Sequence, residues 1–222
     1  MPVPSVPLGS EPSVVPPRRR RRKEARPGEI LDAALEVFSA KGFSAARPDE
    51  IAALAGISKG TLYLYFPSKE ELFKAMVRQT VLPNVGEMER WAAAFDGSAT
   101  EMFQGLLARI ARLFSTHRVG RMPKIIISEA TAFPELAQFW IGEVVERAFA
   151  VMRSILDRGV AAGEFTPVRA EAVIVLFSPM LMLALWNQSI GPAVGRPLDP
   201  EMIAAEAARF LLDGIRVREE AR

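Results

Sequence analysis

Asp49-Glu-Ile-Ala-Ala-Leu-Ala-Gly-Ile-Ser-Lys-Gly-Thr-Leu-Tyr-Leu-Tyr-Phe66 is the stretch on which the fold turns. Its first part reads as a short helix, Asp49 to Ala55, and its last part as another, Lys59 to Phe66, with Gly56, Ile57 and Ser58 between them. Two helices joined by so short a glycine-containing turn make a helix-turn-helix. The turn is tight, so Gly56 takes a backbone angle that a side chain resists. Ala52, Ala53 and Ala55 allow close approach, and Ile51, Leu54, Ile57 and Leu62 are the expected small core between the helices. Lys59, Gly60, Thr61, Tyr63 and Tyr65 are left to face outward. A lysine and two tyrosines on so short a helix make a poor solvated surface and a good DNA surface. Lysine bonds guanine edges or neutralises phosphate, glycine permits close approach, and tyrosine brings a ring and a hydroxyl.

The flanking start and stop signals are helical throughout. A first helix is expected from near Gly28, with Leu31, Leu35 and Phe38 on one face, to Lys41-Gly42, where glycine supplies the exit. Pro48-Asp49-Glu50 opens the second, with Pro at the first helical position and two acids at the positive end of the dipole. Ser58 caps the third through the Thr61 amide, and Ser68-x-x-Glu71 opens the fourth as a capping box. Further helices are expected from Ser98 to His117, from Pro123 to Ala132, and from Pro134 to Ala162-Gly163. Thr166-Pro167 opens an uncharged one ending before Gly191-Pro192, and Asp199-Pro200-Glu201 opens the last, to about Val217. Strand-type alternation is missing. The reading is an all-α chain of about nine helices. It divides into a disordered basic arm (1–26), a helix-turn-helix head (27–82) and a helical body (83–222).

Composition excludes several functions. Half the residues are hydrophobic and 24% are charged, the balance of a globular protein with a rich core. With no cysteine and a single histidine, His117, disulfides, thiolate metal sites and a histidine-based metal cluster are excluded, and no cofactor is expected. No converging set of titratable groups suggests an enzyme, and Glu143 with Glu146 reads as a helix surface. The net charge of +2 hides an asymmetry: residues 1–80 carry 13 Lys/Arg against 9 Asp/Glu. The basic run Arg18 to Lys23, with Arg26, suits an arm that tracks phosphates or enters a minor groove. No apolar stretch follows it, so it does not read as a signal peptide. Ala172 to Trp186 is strongly apolar but, at 15 residues, short for a membrane span, and it is interrupted by Pro179. The expectation is a cytoplasmic protein with no membrane partner.

The run Ile30-Leu-Asp-Ala-Ala-Leu-Glu-Val-Phe38, then Lys41-Gly42-Phe43, Ile51-Ala52, and Ala55-Gly-Ile-Ser-Lys-Gly-Thr-Leu-Tyr-Leu-Tyr-Phe-Pro-Ser-Lys-Glu-Glu-Leu72 closely resembles the N-terminal domain of the tetracycline-repressor (TetR) family. The resemblance covers about residues 28–76. Ile127 to Leu136 is similar to one subgroup of these regulators. The resemblance implies that Lys59, Gly60 and Tyr63 face bases in the major groove of an operator. It implies that Thr61, Tyr65 and Lys69 bind backbone phosphates. The family's usual hydroxyl cap on the second helix is replaced here by Ala45-Ala46-Arg47-Pro48, so Arg47 is the candidate for that phosphate contact.

The resemblance also implies a ligand-responsive repressor whose body dimerises and encloses an effector. The expected homodimer uses the last two long helices, through Val173, Leu176, Met180, Leu183 and Ala184 and through Met202, Ala205, Phe210, Leu211 and Ile215. Two helices from each subunit make a four-helix bundle, and a two-fold dimer matches a palindromic operator. The expected effector is a small, largely apolar molecule. Trp91, Met102, Phe103, Phe139, Phe149, Phe177 and Trp186 are the candidate apolar walls of its pocket. Glu129 and Asn187, with Gln188, Arg112 and His117, are the candidate polar groups.

Overall fold

The computed structural model of the chain describes residues 18–115 and 117–217, without the side chains of Arg18–Arg26 and His117. The expectation of disorder over residues 1–17, and of a pocket role for the His117 ring, therefore lies outside the described residues. Within them the chain is all-α, apart from an isolated bridge between Phe165 and Arg216.

Helix α1 spans Arg18–Ala45 and breaks at Gly42, whose φ of 79° and ψ of 167° are not helical. The stop falls where the sequence puts it. The start does not: the backbone is helical from Arg18, through Pro27, where the sequence suggests an arm ending near Pro27. Helices α2 (Pro48–Leu54), α3 (Lys59–Tyr65) and α4 (Lys69–Thr80) complete the head. Both serine caps form: Ser58 Oγ accepts from the Thr61 amide and Ser68 Oγ from the Glu71 amide, each at 3.1 Å. The Ser68 box is only half made, because the Glu71 carboxylate pairs with Lys74 at 2.9 Å. At Ser98 both halves form: the Ser98 amide donates to Glu101 Oε2 at 2.8 Å and the Glu101 amide to Ser98 Oγ at 3.1 Å.

Helix α5 (Leu82–Ala94) is one that the sequence signals do not announce; Pro83 lies in its first turn rather than at a domain edge. Then come α6 (Ala99–Ser115), α7 (His117–Gly120), α8 (Met122–Glu129) and α9 (Pro134–Trp140). A π-turn at Ile141–Val145 carries α9 into α10 (Glu146–Ala161), so the expected long helix is present with a bulge in it. Helix α11 (Val173–Leu185) runs through Pro179 and passes by a second π-turn, Trp186–Ile190, into the short α12 (Gly191–Ala193). Helix α13 (Pro200–Ile215) is capped by Asp199, whose carboxylate accepts from the Glu201 amide at 2.9 Å.

Two cores hold these helices. The first is built on Phe38, Phe43 and Phe73, with ring centroids 5.4 to 5.8 Å apart, and continues into the body through Phe133, 4.8 Å from Phe43. Met122, Ile125, Ile126, Leu136 and Val144 are buried in the same cluster. Each such side chain contributes about 1.5–3 kcal/mol when buried, and the aromatic contacts add about 0.5–1.5 kcal/mol per pair. The head is therefore covered on one side by α8 and α9. The second core centres on α6, whose Phe103, Leu106, Leu107 and Ile110 meet Met152 and Ile155 of α10, Leu176 and Met180 of α11, and Ala208 and Leu212 of α13.

The last two long helices correct one expectation. Val173, Leu176, Met180, Leu183 and Ala184 face this second core or are otherwise buried in their own chain. The side of α11 turned outward is Ile174, Val175, Leu181 and Met182. On α13, Met202, Ala205 and Phe210 face out, whereas Leu211 and Ile215 are half-buried. Ala170–Ala193 is long and apolar enough to cross a membrane by length and composition, and only 28% of its most apolar window is buried inside the chain.

Candidate nucleic-acid interface

Helix α3 has one buried side chain, Leu62, at 1% exposure. It packs with Ile51 and Ala52 of α2, while Ile57 and Tyr65 are half-buried beside them. Leu54, expected in that small core, is 59% exposed instead, because the turn at Gly56 (φ 65°) carries α3 away from the last turn of α2. With a single inward residue, the rest of α3 is free. Lys59, Gly60, Tyr63 and Leu64 are exposed, and Thr61 and Tyr65 are half-buried. Thr61 is partly spent on the cap, its hydroxyl 2.8 Å from Ser58 Oγ.

Gly60 has no reason inside the chain. A Cβ built there meets only Ser58 Oγ at 3.8 Å, an ordinary contact. Gly60 stands in the first turn of α3, where glycine costs a fraction of the roughly 1 kcal/mol it costs in a helix interior.

The two cations at the edge of this surface share one acid. Lys59 Nζ lies 2.6 Å from Asp49 Oδ1, and Arg47 Nη2 lies 3.3 Å from Asp49 Oδ2. The hydrogen bond from Lys59 holds the Asp49 carboxyl below its ordinary range, and the same bond holds the Lys59 ammonium above its own. No side chain caps α2, as the missing hydroxyl requires; Arg47 stands at that position with its guanidinium turned to Asp49. The sequence reading did not single out Asp49 as a partner of both. Its only visible signal was an acid in the first turn of α2.

Lys69 is placed differently from expectation. Its ammonium donates to the carbonyls of Phe43 (2.8 Å), Ser44 (3.1 Å) and Ala46 (3.3 Å), and lies 4.5 Å from the centre of the Phe43 ring. These carbonyls belong to the end of α1 and the turn after it, where helix geometry leaves oxygens without amide partners. All three ammonium protons are engaged, so in this state Lys69 braces the turn before α2 rather than standing free for a phosphate.

The candidate pocket residues are not gathered around one space. Met102 and Phe103 are buried in the second core. Trp91 meets Phe95 edge to face (5.2 Å) beneath the Arg109 guanidinium (4.2 Å). Phe139 lies under Arg78 at 5.0 Å, against the first core, and Phe149 pairs with Phe177 at 5.2 Å. Trp186 Nε1 donates to the Arg196 carbonyl at 2.7 Å, and Asn187 is bonded through both amide atoms to Leu198, so neither polar group is turned to a ligand. Glu129 is buried at the junction of head and body, where its carboxylate fills the space a side chain at Gly42 would take. Of these candidates, Arg112 lines one of the clefts found among the described residues. One of about 410 Å³ between α5 and α6 includes Arg109 and Arg112, one of about 360 Å³ lies beside Arg153 and Pro167, and one of about 570 Å³ is edged by Glu29, Glu36 and Arg118.

Comparison with known proteins agrees with this geometry. The family described as "Bacterial regulatory proteins, tetR family" matches residues 30–76, and the "Tetracyclin repressor-like, C-terminal domain" matches residues 96–205. The HTH-type transcriptional regulator RutR of Escherichia coli is 50% identical over 62 residues, which are 28% of this chain and 29% of RutR. The match thus spans less than a third of that relative's length. The fatty acid metabolism regulator protein of Bacillus subtilis is 25% identical over 144 residues, covering 64% of this chain and 73% of that one. Among solved structures, FadR from Bacillus subtilis in complex with stearoyl-CoA shares the fold, with a TM-score of 0.66 at 21% identity over 85% of this chain and 99% of that one. The head and body matches together take in most of the described helices, and the chain belongs to the TetR family of bacterial regulatory proteins.

Proposed function

We propose that this chain is a sequence-specific transcriptional repressor, acting in the cytoplasm as a homodimer on a palindromic operator. In this reading a small, largely apolar effector releases it. The observation that carries the DNA half is α3: a helix with one buried side chain, a glycine with no internal purpose, and Lys59 and Tyr63 exposed beside it. Lys59, Gly60 and Tyr63 meet base edges. Arg47, Thr61 and Tyr65 meet phosphates, and Lys69 sets the turn that aims them.

The dimer is supported by the outward apolar face of α11 and α13. A second copy covers it better than a bilayer does, because Glu206, Arg209 and Asp213 are exposed on the same α13 as Phe210. The effector half is supported by the half-buried aromatic rings of the body, Trp91, Phe149 and Phe177 among them, and by the stearoyl-CoA bound to the Bacillus subtilis relative. Since the candidate walls do not surround one space in this structure, an effector enters by rearranging them.

The test begins with selection of an operator from a random duplex pool, followed by gel shifts at two salt concentrations. Lys59→Ala and Tyr63→Ala are each expected to weaken operator binding by about 5- to 150-fold per half-site, the worth of a base contact, while the dimer persists. Unaltered affinity in both variants contradicts the reading. Operator affinity that stays constant across a broad panel of apolar small molecules contradicts the effector half.

A further inference from the structure

We propose that Leu64 reads the C5-methyl group of an operator thymine, an inference that rests on the DNA-binding reading above. A helix turns by about 100° per residue. The direction opposite the buried Leu62 therefore falls midway between Gly60 and Leu64, about 20° from each. Lys59 and Tyr63 lie on one flank of that direction, and the half-buried Thr61 and Tyr65 on the other. The foremost side chain of α3 is thus Leu64, and it is 87% exposed, more than any other large apolar side chain described.

Its neighbour one turn earlier is Gly60, where a Cβ would touch only Ser58 Oγ, at 3.8 Å. The helix can approach a flat edge until Leu64 touches it, with nothing at position 60 to hold it off. The surrounding charge states the kind of partner. Lys59 and Arg47 stand at the edge of this surface with Asp49 as the acid between them, which suits a polyanion. The two cations share one carboxylate, so the cluster keeps a net positive charge that an apolar protein surface would leave unmatched. Leucine has no hydrogen-bonding group, and the apolar feature a base pair offers in the major groove is the thymine methyl.

The experiment replaces each thymine of the selected operator, one symmetric pair at a time, by deoxyuridine, which removes only the methyl. It compares wild type with Leu64→Ala. The substitution touches no core, so the fold is kept. At one position in each half-site, wild type is expected to lose about fourfold per half-site, about fifteenfold for the palindrome, the loss of one buried methyl from each contact. Leu64→Ala is expected to bind the unmodified operator more weakly and to show no further loss at that position. If wild type is indifferent to every replacement, or if Leu64→Ala keeps the full sensitivity, the inference is overturned while DNA binding stands. If no sequence is enriched from the pool, the DNA-binding reading itself fails and takes this one with it.

Discussion

Two glycines in the head have opposite reasons to be glycine. Gly42 holds a positive φ, and a Cβ there would lie 2.6 Å from Glu129 Oε1. Gly42→Ala is expected to destabilise the chain by about 2 kcal/mol or more, combining about 1–3 kcal/mol for a positive-φ, extended-ψ backbone that suits only glycine with displacement of a buried carboxylate. Gly60→Ala leaves stability unchanged or raises it by up to about 1 kcal/mol, and weakens operator binding. Denaturant titration and gel shifts separate the two; equal effects on stability would contradict the assignment. The stop at Gly42 was legible in the sequence because it is local. The carboxylate of Glu129 against it was not, since the contact joins positions far apart in the chain. Lys69 shows the same limit: sequence places it at the start of α4, but its three carbonyl partners are set by how the turn after α1 comes back.

At the scale of helices, α5 and α10 are clasped by Arg147, which meets both Glu89 oxygens at 2.8 and 2.6 Å. The hydrogen bond to Arg147 holds the Glu89 carboxyl below its ordinary value of 4.5. A carboxylate whose folded value is depressed contributes stability that is full above the unfolded value and lost as pH falls through the folded one. The pair is more than a third exposed, so its contribution is under about 1 kcal/mol. Glu89→Gln is expected to melt at most about 3 °C lower at pH 7, with the gap closing as the pH falls below 4.5. A gap that persists unchanged in acid contradicts the clasp. The outward face of α11 and α13 carries a further prediction: Met182→Glu or Phe210→Lys yields a monomer in sedimentation and loses operator affinity. A dimer of undiminished strength in both would remove the proposed interface. Periodicity had shown that α11 needs cover on its apolar sides. It cannot say which side its own chain takes, because both are apolar, and only packing against α6 decides it.

For the whole molecule, the boundary read at residues 82–83 falls inside the first turn of α5, just past the break at Val81, and the first core runs across it. Phe43 has Phe73 on one side and Phe133 on the other, and Arg118–Asp32 and Arg121–Glu36 ion pairs tie the start of the body to α1. Residues 27–82 expressed alone are expected to show weak helicity and no cooperative melt by circular dichroism, whereas the full chain melts cooperatively. A well-folded fragment would show that the cover from α8 and α9 contributes little. The all-helical class and the helix-turn-helix were legible because they follow from local spacing. The shared core was not, because Met122, Ile125 and Ile126 read equally well as filling for the body alone.

The four interlocked phenylalanines have a consequence for any motion between head and body. Interiors packed to this degree scarcely compress. A shove delivered to α8 and α9 is therefore felt at once by α1 and by the turn that aims the reading helix. A head so held is expected to move by another nesting of the rings rather than by degrees. Such a joint behaves as a latch with two notches rather than as a dial.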